Sequence, residues 1–369
     1  MQFNNLGKQW EIVRENSLKK IDLIGREGSY INGKAVSEFE SQFSSHYGSK
    51  YSVGVSNGTD ALKMALQIYE LGESDLVIMP ANTFIADYLA VKHLPLKNPK
   101  VVLIDHDEYF TLNVDHLRDF LKKDRTKYKK IVVIPVHLYG QPCDMDRIVS
   151  LSHQFDFRIL EDCSQSHESQ YKGKMLGSFG DMAVYSLYPG KNLGAVGDAG
   201  IITTDDEEIF NRLRSMRNYG SKVKYHYDEI GYNNRLDSIQ AVVLSEKIKH
   251  ISEWTEEKIK IASQFLSKVN NSKVKLPIIP EYSTKHSFHI FCLVVDDRNS
   301  FESYMNKFGI PTIIHYPVPI HQTKIWSPED TVYSSDKTDT LCERIISIPL
   351  HPFLEIDEIK LIIDTINNY

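Results

Sequence analysis

Between residues 51 and 160, five short apolar runs alternate with four segments of helical spacing, and no other feature constrains the fold as tightly. The runs lie at 51–55, 76–79, 101–104, 131–135 and 158–160. The helical patterns between them lie at 59–69, 86–93, 113–121 and 145–154. Strands joined by helical crossovers predict a largely parallel sheet covered by helices on both faces. Residues 182–187 and 200–204 read as two more strands, which makes seven. The 12 residues between these two are rich in glycine and carry no helical pattern. A crossover needs more chain than that, so the pair is expected to run antiparallel.

The pattern changes after Asp206. Residues 207–217 read as a helix, 221–234 as an irregular polar and aromatic stretch, and 236–265 as one long helix with a single buried stripe. Residues 270–287 carry Pro277 and Pro280 and mark a boundary. Beyond it the pattern is α+β: strands at 289–295 and 312–314, helices at 300–308, 338–344 and 357–367. The expected division is a large α/β domain over 1–250, with a helical N-terminal segment, and a smaller α+β domain over 251–369.

Composition removes several function classes. The formal charge is −6, without the basic excess that nucleic-acid binding uses. The four cysteines, Cys143, Cys163, Cys292 and Cys342, form no C-x-x-C pair, which speaks against a zinc knuckle or a disulfide framework. His137, His167, His315 and His321 lack ligand spacing, so no metal is expected. The N-terminus carries charges where a signal peptide is apolar, and no apolar window is long enough to span a membrane. A cytoplasmic protein in a reducing compartment is expected.

In a parallel sheet, ligands sit beyond the carboxyl ends of the strands. After residue 55 the chain reads Ser56-Asn57-Gly58-Thr59-Asp60 and enters a helix. Its free N–H groups and dipole suit a phosphate; equally, Asn57 or Thr59 simply caps the helix. After residue 79 comes Phe84, either a plate over a planar ligand or a packed ring. After residue 160 comes Asp162, either a partner for a protonated ring nitrogen or a turn cap. The stretch from Ser186 to Gly200 places one lysine, Lys191, in a loop with four glycines. Such a lysine becomes a nucleophile if its surroundings remove its proton; otherwise it is an exposed loop lysine. The run from Gly28 to Ala35 approaches a nucleotide-binding P-loop, but Ala35 stands where a Ser or Thr should bind magnesium and no strand precedes it.

Six motifs in order carry a resemblance. They are Asn57-Gly58-Thr59-Asp60-Ala61-Leu62, Pro80-Ala81-Asn82-Thr83-Phe84, His137-Leu138-Tyr139-Gly140-Gln141-Pro142, Glu161-Asp162 with Gln165, Ser186 with Tyr188-Pro189-Gly190-Lys191-Asn192-Leu193-Gly194-Ala195, and Gly231-Tyr232-Asn233 with Arg235-Leu236-Asp237. Together they resemble the nucleotide-sugar aminotransferases of the DegT/DnrJ/EryC1/StrS family, which are fold-type I pyridoxal phosphate enzymes. The resemblance runs from about residue 32 to the C-terminus.

The resemblance implies roles. Lys191 matches the lysine that links to pyridoxal 5'-phosphate, and pyridoxamine 5'-phosphate is the form between the two half-reactions. Asp162 matches the partner of the pyridine nitrogen, Gln165 and Phe84 the residues beside the ring, and Gly58, Thr59 and Ser186 the phosphate positions. Asn233 matches an asparagine that reaches the phosphate of the neighbouring subunit, which implies a homodimer with shared sites. L-glutamate is the implied donor. The run after Lys191 is similar to enzymes that aminate C3 of dTDP-linked 3-keto-6-deoxyhexoses, in deoxyamino sugar biosynthesis for lipopolysaccharide or other surface glycans. Tyr188, His315 and Tyr316 match positions near the sugar, and Lys222 or Lys224 would meet the diphosphate or stay in solvent. Both gluco- and galacto-configured sugars fit. The alternatives are amination at C4 and a non-catalytic relative that binds a sugar nucleotide; the second is disfavoured by the retained Lys191 and Asp162. Some relatives carry histidine in place of the lysine and act as dehydratases, which Lys191 also disfavours. Where the family commonly has small residues after the aspartate, this chain has Cys163-Ser164-Gln165-Ser166-His167-Glu168, and Glu168 is expected to alter the pocket's charge.

Overall fold

A computed structural model describes residues 1–95, 99–223 and 225–369. Two helices, α1 (Leu6–Glu27) and α2 (Lys34–Tyr47), precede the alternation. Then follow β1 (Tyr51–Val55), α3 (Gly58–Ile68), β2 (Leu76–Pro80), α4 (Ala86–Lys92), β3 (Lys100–Ile104), α5 (Val114–Asp124), β4 (Ile131–Val133), α6 (Met145–Phe155) and β5 (Arg158–Asp162). A short hairpin, β6 (Gln170–Tyr171) and β7 (Lys174–Met175), leads to β8 (Met182–Ser186), β9 (Gly200–Thr204) and α7 (Glu207–Met216).

The sheet order is β1-β9-β8-β5-β4-β2-β3, and only β9 runs against its neighbours. The short glycine-rich connection between β8 and β9 thus has the expected consequence. Successive side chains point to opposite faces. Leu76 and Ile78 of β2 pack in one core with Phe39, Phe43, Leu117 and Ile148; Val77 and Met79 pack in another with Leu62, Met64, Tyr88 and Leu213. Because both faces are covered, the strands read as unbroken apolar runs.

The C-terminal part contains α8 (Ser238–Lys247), α9 (Ile251–Lys268), β10 (Val274–Lys275), β11 (Ser283–Lys285), β12 (Phe291–Val295), α10 (Arg298–Lys307), β13 (Thr331–Val332), α11 (Asp336–Arg344), β14 (Ile345–Ile348) and α12 (Ile356–Asn367). A third core gathers Phe265, Phe291, Leu293, Phe301, Ile346 and Ile362. Here β12 pairs antiparallel with β10 and β14.

Three expectations need correction. The seven-stranded sheet has an eighth member, because β13 pairs in parallel with β3 through Thr331 and Val332. Two residues carry too little pattern to be read as a strand. The single helix over 236–265 is two helices, with a turn at residues 248–250. α8 is buried along its whole last two turns, whereas α9 crosses from the first core at Ile251 to the third at Ile261. With no Gly or Pro at the turn, spacing alone gave no sign of it. The strand expected at 312–314 is a single bridge between Ile313 and Ser347.

Candidate active site

The parallel strands end on one side of the sheet, and the segments that follow them line a cleft of about 910 Å³. Gly58, Thr59, Phe84, Asp162, Gln165, Ser186, Tyr188, Lys191, His315 and Tyr316 all border it. So do Phe3 and Asn4, which the sequence gave no reason to place there. Asn4 reaches Gly190 through its side-chain amide, 3.5 Å from the carbonyl.

One end of the cleft is a helix N-terminus. Asn57 caps α3, its Oδ1 accepting from the Asp60 N–H at 2.8 Å, so the capping reading holds for Asn57. Thr59 is left to face the cleft, beside N–H groups that have no acceptor within the helix. Glycine is required at two points here. A Cβ on Gly200 would lie 2.5 Å from the Asn57 carbonyl carbon, and one on Gly58 would lie 2.8 Å from the Ser186 Cβ. The antiparallel β9 therefore presses the α3 entry against the end of β8, closing a cradle that fits a phosphate.

The middle of the cleft holds the polar centre. Asp162 is buried at the end of β5, and its Oδ1 accepts from the Ser164 N–H at 2.8 Å. Gln165 accepts from the Tyr139 N–H at 2.8 Å and donates to the Tyr316 hydroxyl at 3.0 Å. Tyr139 in turn donates to the His315 carbonyl. Phe84 is 48% exposed, with its ring centroid 5.3 Å from that of Tyr316. A large apolar ring left half in solvent at the cleft suits a plate for a planar ligand. Asp162, Gln165, Phe84 and the cradle thus match what pyridoxal phosphate needs: an acceptor for a ring N–H, a side group, a face and a phosphate seat.

Lys191 sits in the loop after β8, its N–H bonded to the Tyr188 carbonyl at 2.8 Å. Burial pushes its amine down to about 8, opposed chiefly by the nearby Asp162. A proton that leaves more readily than from an exposed lysine is what a nucleophilic lysine requires. Burial and the nearby Lys191 also push His315 down to about 4, so it is neutral there. Among the described residues that line the cleft, Lys191 is the only Lys or Arg.

Other sequence-derived candidates lie elsewhere. Asn233 is exposed, bridged to Asn218, and outside the cleft of its own chain. Lys222 borders a separate surface depression with Glu207, Arg212 and Glu229. Lys224 lies outside the described residues. Glu168 does not enter the cleft, contrary to expectation: it is buried and spent on His46, Ser252 and Lys285. His137, Glu161 and Cys163 converge in the interior. Both His137 nitrogens and both Glu161 oxygens are already committed, to each other and to the N–H groups of Cys143, Gly177, Phe179 and Gly180.

Sequence reasoning missed Asp87, which is fully buried beside Asp162, and Lys258, whose amine bonds Asn192 Oδ1 at 2.9 Å and the His289 carbonyl at 3.3 Å. Only burial marks either out. In sequence, one is an acid in a helix's first turn and the other a helical lysine.

Comparison with known proteins agrees with this arrangement. The chain is 38% identical over 342 residues to a dTDP-3-amino-3,6-dideoxy-alpha-D-galactopyranose transaminase of Aneurinibacillus thermoaerophilus, covering 93% of this chain and 92% of that one. It is 32% identical to a dTDP-3-amino-3,4,6-trideoxy-alpha-D-glucose transaminase of Streptomyces venezuelae, over 100% of this chain and 95% of that one. The structure of S. venezuelae DesV in complex with a ketimine intermediate superposes with a TM-score of 0.91 at 32% identity, covering 100% and 97% of the two chains. Residues 11–367 match one family throughout, and the chain belongs to it: the DegT/DnrJ/EryC1/StrS aminotransferases.

Proposed function

We propose that this pyridoxal phosphate-dependent aminotransferase moves the amino group of L-glutamate to the 3-keto carbon of a dTDP-linked 3-keto-6-deoxyhexose, giving a dTDP-3-amino-3,6-dideoxyhexose. The observation that carries the reading is Lys191, a half-buried amine with a lowered proton affinity, set beside Asp162 at the floor of a cleft that ends in a phosphate cradle. The dTDP carrier and the C3 position are supported by the two transaminase relatives named above.

Bound in the cleft, the cofactor would supply an aldehyde carbon and a ring that withdraws electrons. The α3 entry, Thr59 and Ser186 would hold its phosphate. Phe84 would cover one ring face, and Gln165 would fix the ring's edge. Asp162 would hold the proton on the ring nitrogen. Lys191 would hold the cofactor's aldehyde carbon through Nζ. Once displaced from it by the donor amine, its Nζ would be the base that takes the proton from the donor's α-carbon and, in the second half-reaction, the acid that delivers one to sugar C3.

Among the described residues that line it, the cleft offers one Lys or Arg, yet its ligands carry phosphate, diphosphate and two carboxylates. That imbalance supports a homodimer in which Asn233 of the partner subunit completes the phosphate site and Lys222 of the partner subunit meets the diphosphate. Tyr188, His315 and Tyr316 would border the sugar. Among the described residues no helix is long and apolar enough to cross a membrane.

Product analysis by NMR tests the reading. The enzyme, cofactor and glutamate are incubated with dTDP-4-keto-6-deoxyglucose, with and without a 3,4-ketoisomerase. Nitrogen at C3, formed only with the isomerase, is expected. Nitrogen at C4 without the isomerase would overturn the C3 assignment in favour of 4-amination. No amination in either arm would overturn both.

A further inference from the structure

Asp87 lies in the first turn of α4, directly behind the cleft, and has no exposed surface. Its Oδ2 accepts from the Thr83 hydroxyl at 2.6 Å. Its Oδ1 is buried and finds no donor among the described residues. The Asp162 carboxyl stands within hydrogen-bond reach of it. The other ionisable groups facing the pair are Lys191, from the loop after β8, and Tyr316, from the C-terminal part.

Two carboxyls in contact cannot both ionise in a buried setting, so the pair holds one proton. Its location follows from the donors. Asp162 borders the cleft and already has a backbone N–H donor. Asp87 is enclosed and has one neutral hydroxyl for two oxygens. Burial and the Asp162 charge accordingly push the Asp87 carboxyl well above the usual carboxylate range.

We propose that Asp87 is a positioning residue for transamination: its carboxyl stays protonated and donates to the Asp162 carboxylate, setting how firmly Asp162 holds the proton on the cofactor's ring nitrogen. The proposal rests on the cofactor reading above. A neutral Asp87 leaves the site with a single carboxylate to match a single ring cation.

The first test needs no cofactor. Apo-protein and Asp87→Asn are unfolded by denaturant at pH 5.5 to 8. The amide replaces the acid in shape and keeps a donor. If Asp87 is protonated when folded and ionised when unfolded, the wild-type protein loses stability relative to the variant as pH rises. The ratio of their folding constants should then change by about tenfold per pH unit. A flat ratio means that Asp87 is ionised in the folded protein and overturns the proposal.

The second test reads the loaded protein's visible absorption against pH. Asp87→Ala, which leaves Asp162 without its donor, should raise the midpoint by about one unit, the scale on which a lost charge-assisted hydrogen bond appears. Asp87→Asn should stay near wild type. Equal shifts in both variants would show that the midpoint does not follow the donor to Asp162, which also overturns the proposal. Failure of the cofactor reading itself would show separately, as a Lys191→Ala protein that still transaminates.

Discussion

Lys258 gives the sharpest stability prediction. It lies on α9, is 7% exposed, and among the described residues its amine meets Asn192 Oδ1 and the His289 carbonyl and no carboxylate. Burial pushes it from 10.5 down to about 7. The unfolded chain therefore keeps this proton up to about 10.5, whereas the folded protein releases it near 7. Between those values the unfolded state binds more protons, so stability rises with pH by about 1.4 kcal/mol per unit from this group. At pH 7 the burial penalty amounts to about 4 kcal/mol, and it fades toward pH 10. Lys258→Met keeps the length and removes the titration. It also leaves two acceptors without their donor, a loss of about 1–3 kcal/mol each if no water replaces it. The variant should thus be close to wild type in stability near pH 7 and progressively less stable than it above pH 8. Denaturant unfolding of the two apo-proteins at pH 7, 8, 9 and 10 checks this. A stability difference that does not change with pH would mean that Lys258 stays protonated when folded, and the argument from its burial would fail.

Lys191→Ala should lower transamination by at least about 10³-fold while leaving the far-UV signal intact, since the residue supplies both the covalent link and the proton transfer; a rate within tenfold of wild type would exclude that role. Gly200→Val should weaken cofactor binding by about tenfold or more, because its Cβ would meet the Asn57 carbonyl and displace the α3 entry; a fluorescence titration measures it. Tyr316→Phe removes the acceptor for the Gln165 amide, and about 1 kcal/mol of cofactor affinity should go with it. Mixing inactive Lys191→Ala and Asn233→Ala proteins under subunit exchange should restore about a quarter of wild-type activity, the yield of hybrids with one intact composite site; no recovery would place Asn233 outside the partner's site.

The sequence revealed what was repetitive and local. β1 to β5, β8 and β9 were legible because strands covered on both faces must be apolar throughout. Asp162, Lys191, Phe84 and the Gly58 turn were legible because they follow strands on the ligand-binding side of a parallel sheet. Sheet order was not legible: β1 pairs with β9 across about 150 residues of chain, and pairing at that range leaves no periodic trace. The turn between α8 and α9 was hidden because the helical spacing continues through Ile248 without a Gly or Pro. Asp87 was hidden for a different reason. An acid in a helix's first turn normally complements the dipole in solvent, and only its complete burial changes that reading.

The loop that carries Lys191 is held by groups from other elements. The loop around Lys191 has little structure of its own, and Gly194 is needed because a Cβ there would lie 2.3 Å from the Pro189 carbonyl oxygen. What fixes the loop comes from outside it. Lys247 of α8 donates to the Gly194 carbonyl at 2.7 Å. Lys258 of α9 holds Asn192 by its oxygen, and the Asn192 amide donates to the Ser287 carbonyl at 3.2 Å. Burial lowers both of these lysines, to about 8 and about 7, so they can serve as donors without leaving a permanent charge in the interior. The backbone on both sides of Lys191 is therefore anchored to α8, α9 and the start of the C-terminal part. In the proposed role, in which Lys191 releases a covalent partner and recovers it, such an anchor keeps the amine near Asp162. The turn that breaks the expected long helix follows directly on Lys247 and lets α8 and α9 present these two donors to one loop. The departure from the simple helical pattern and the placement of the reactive amine are thus parts of one arrangement.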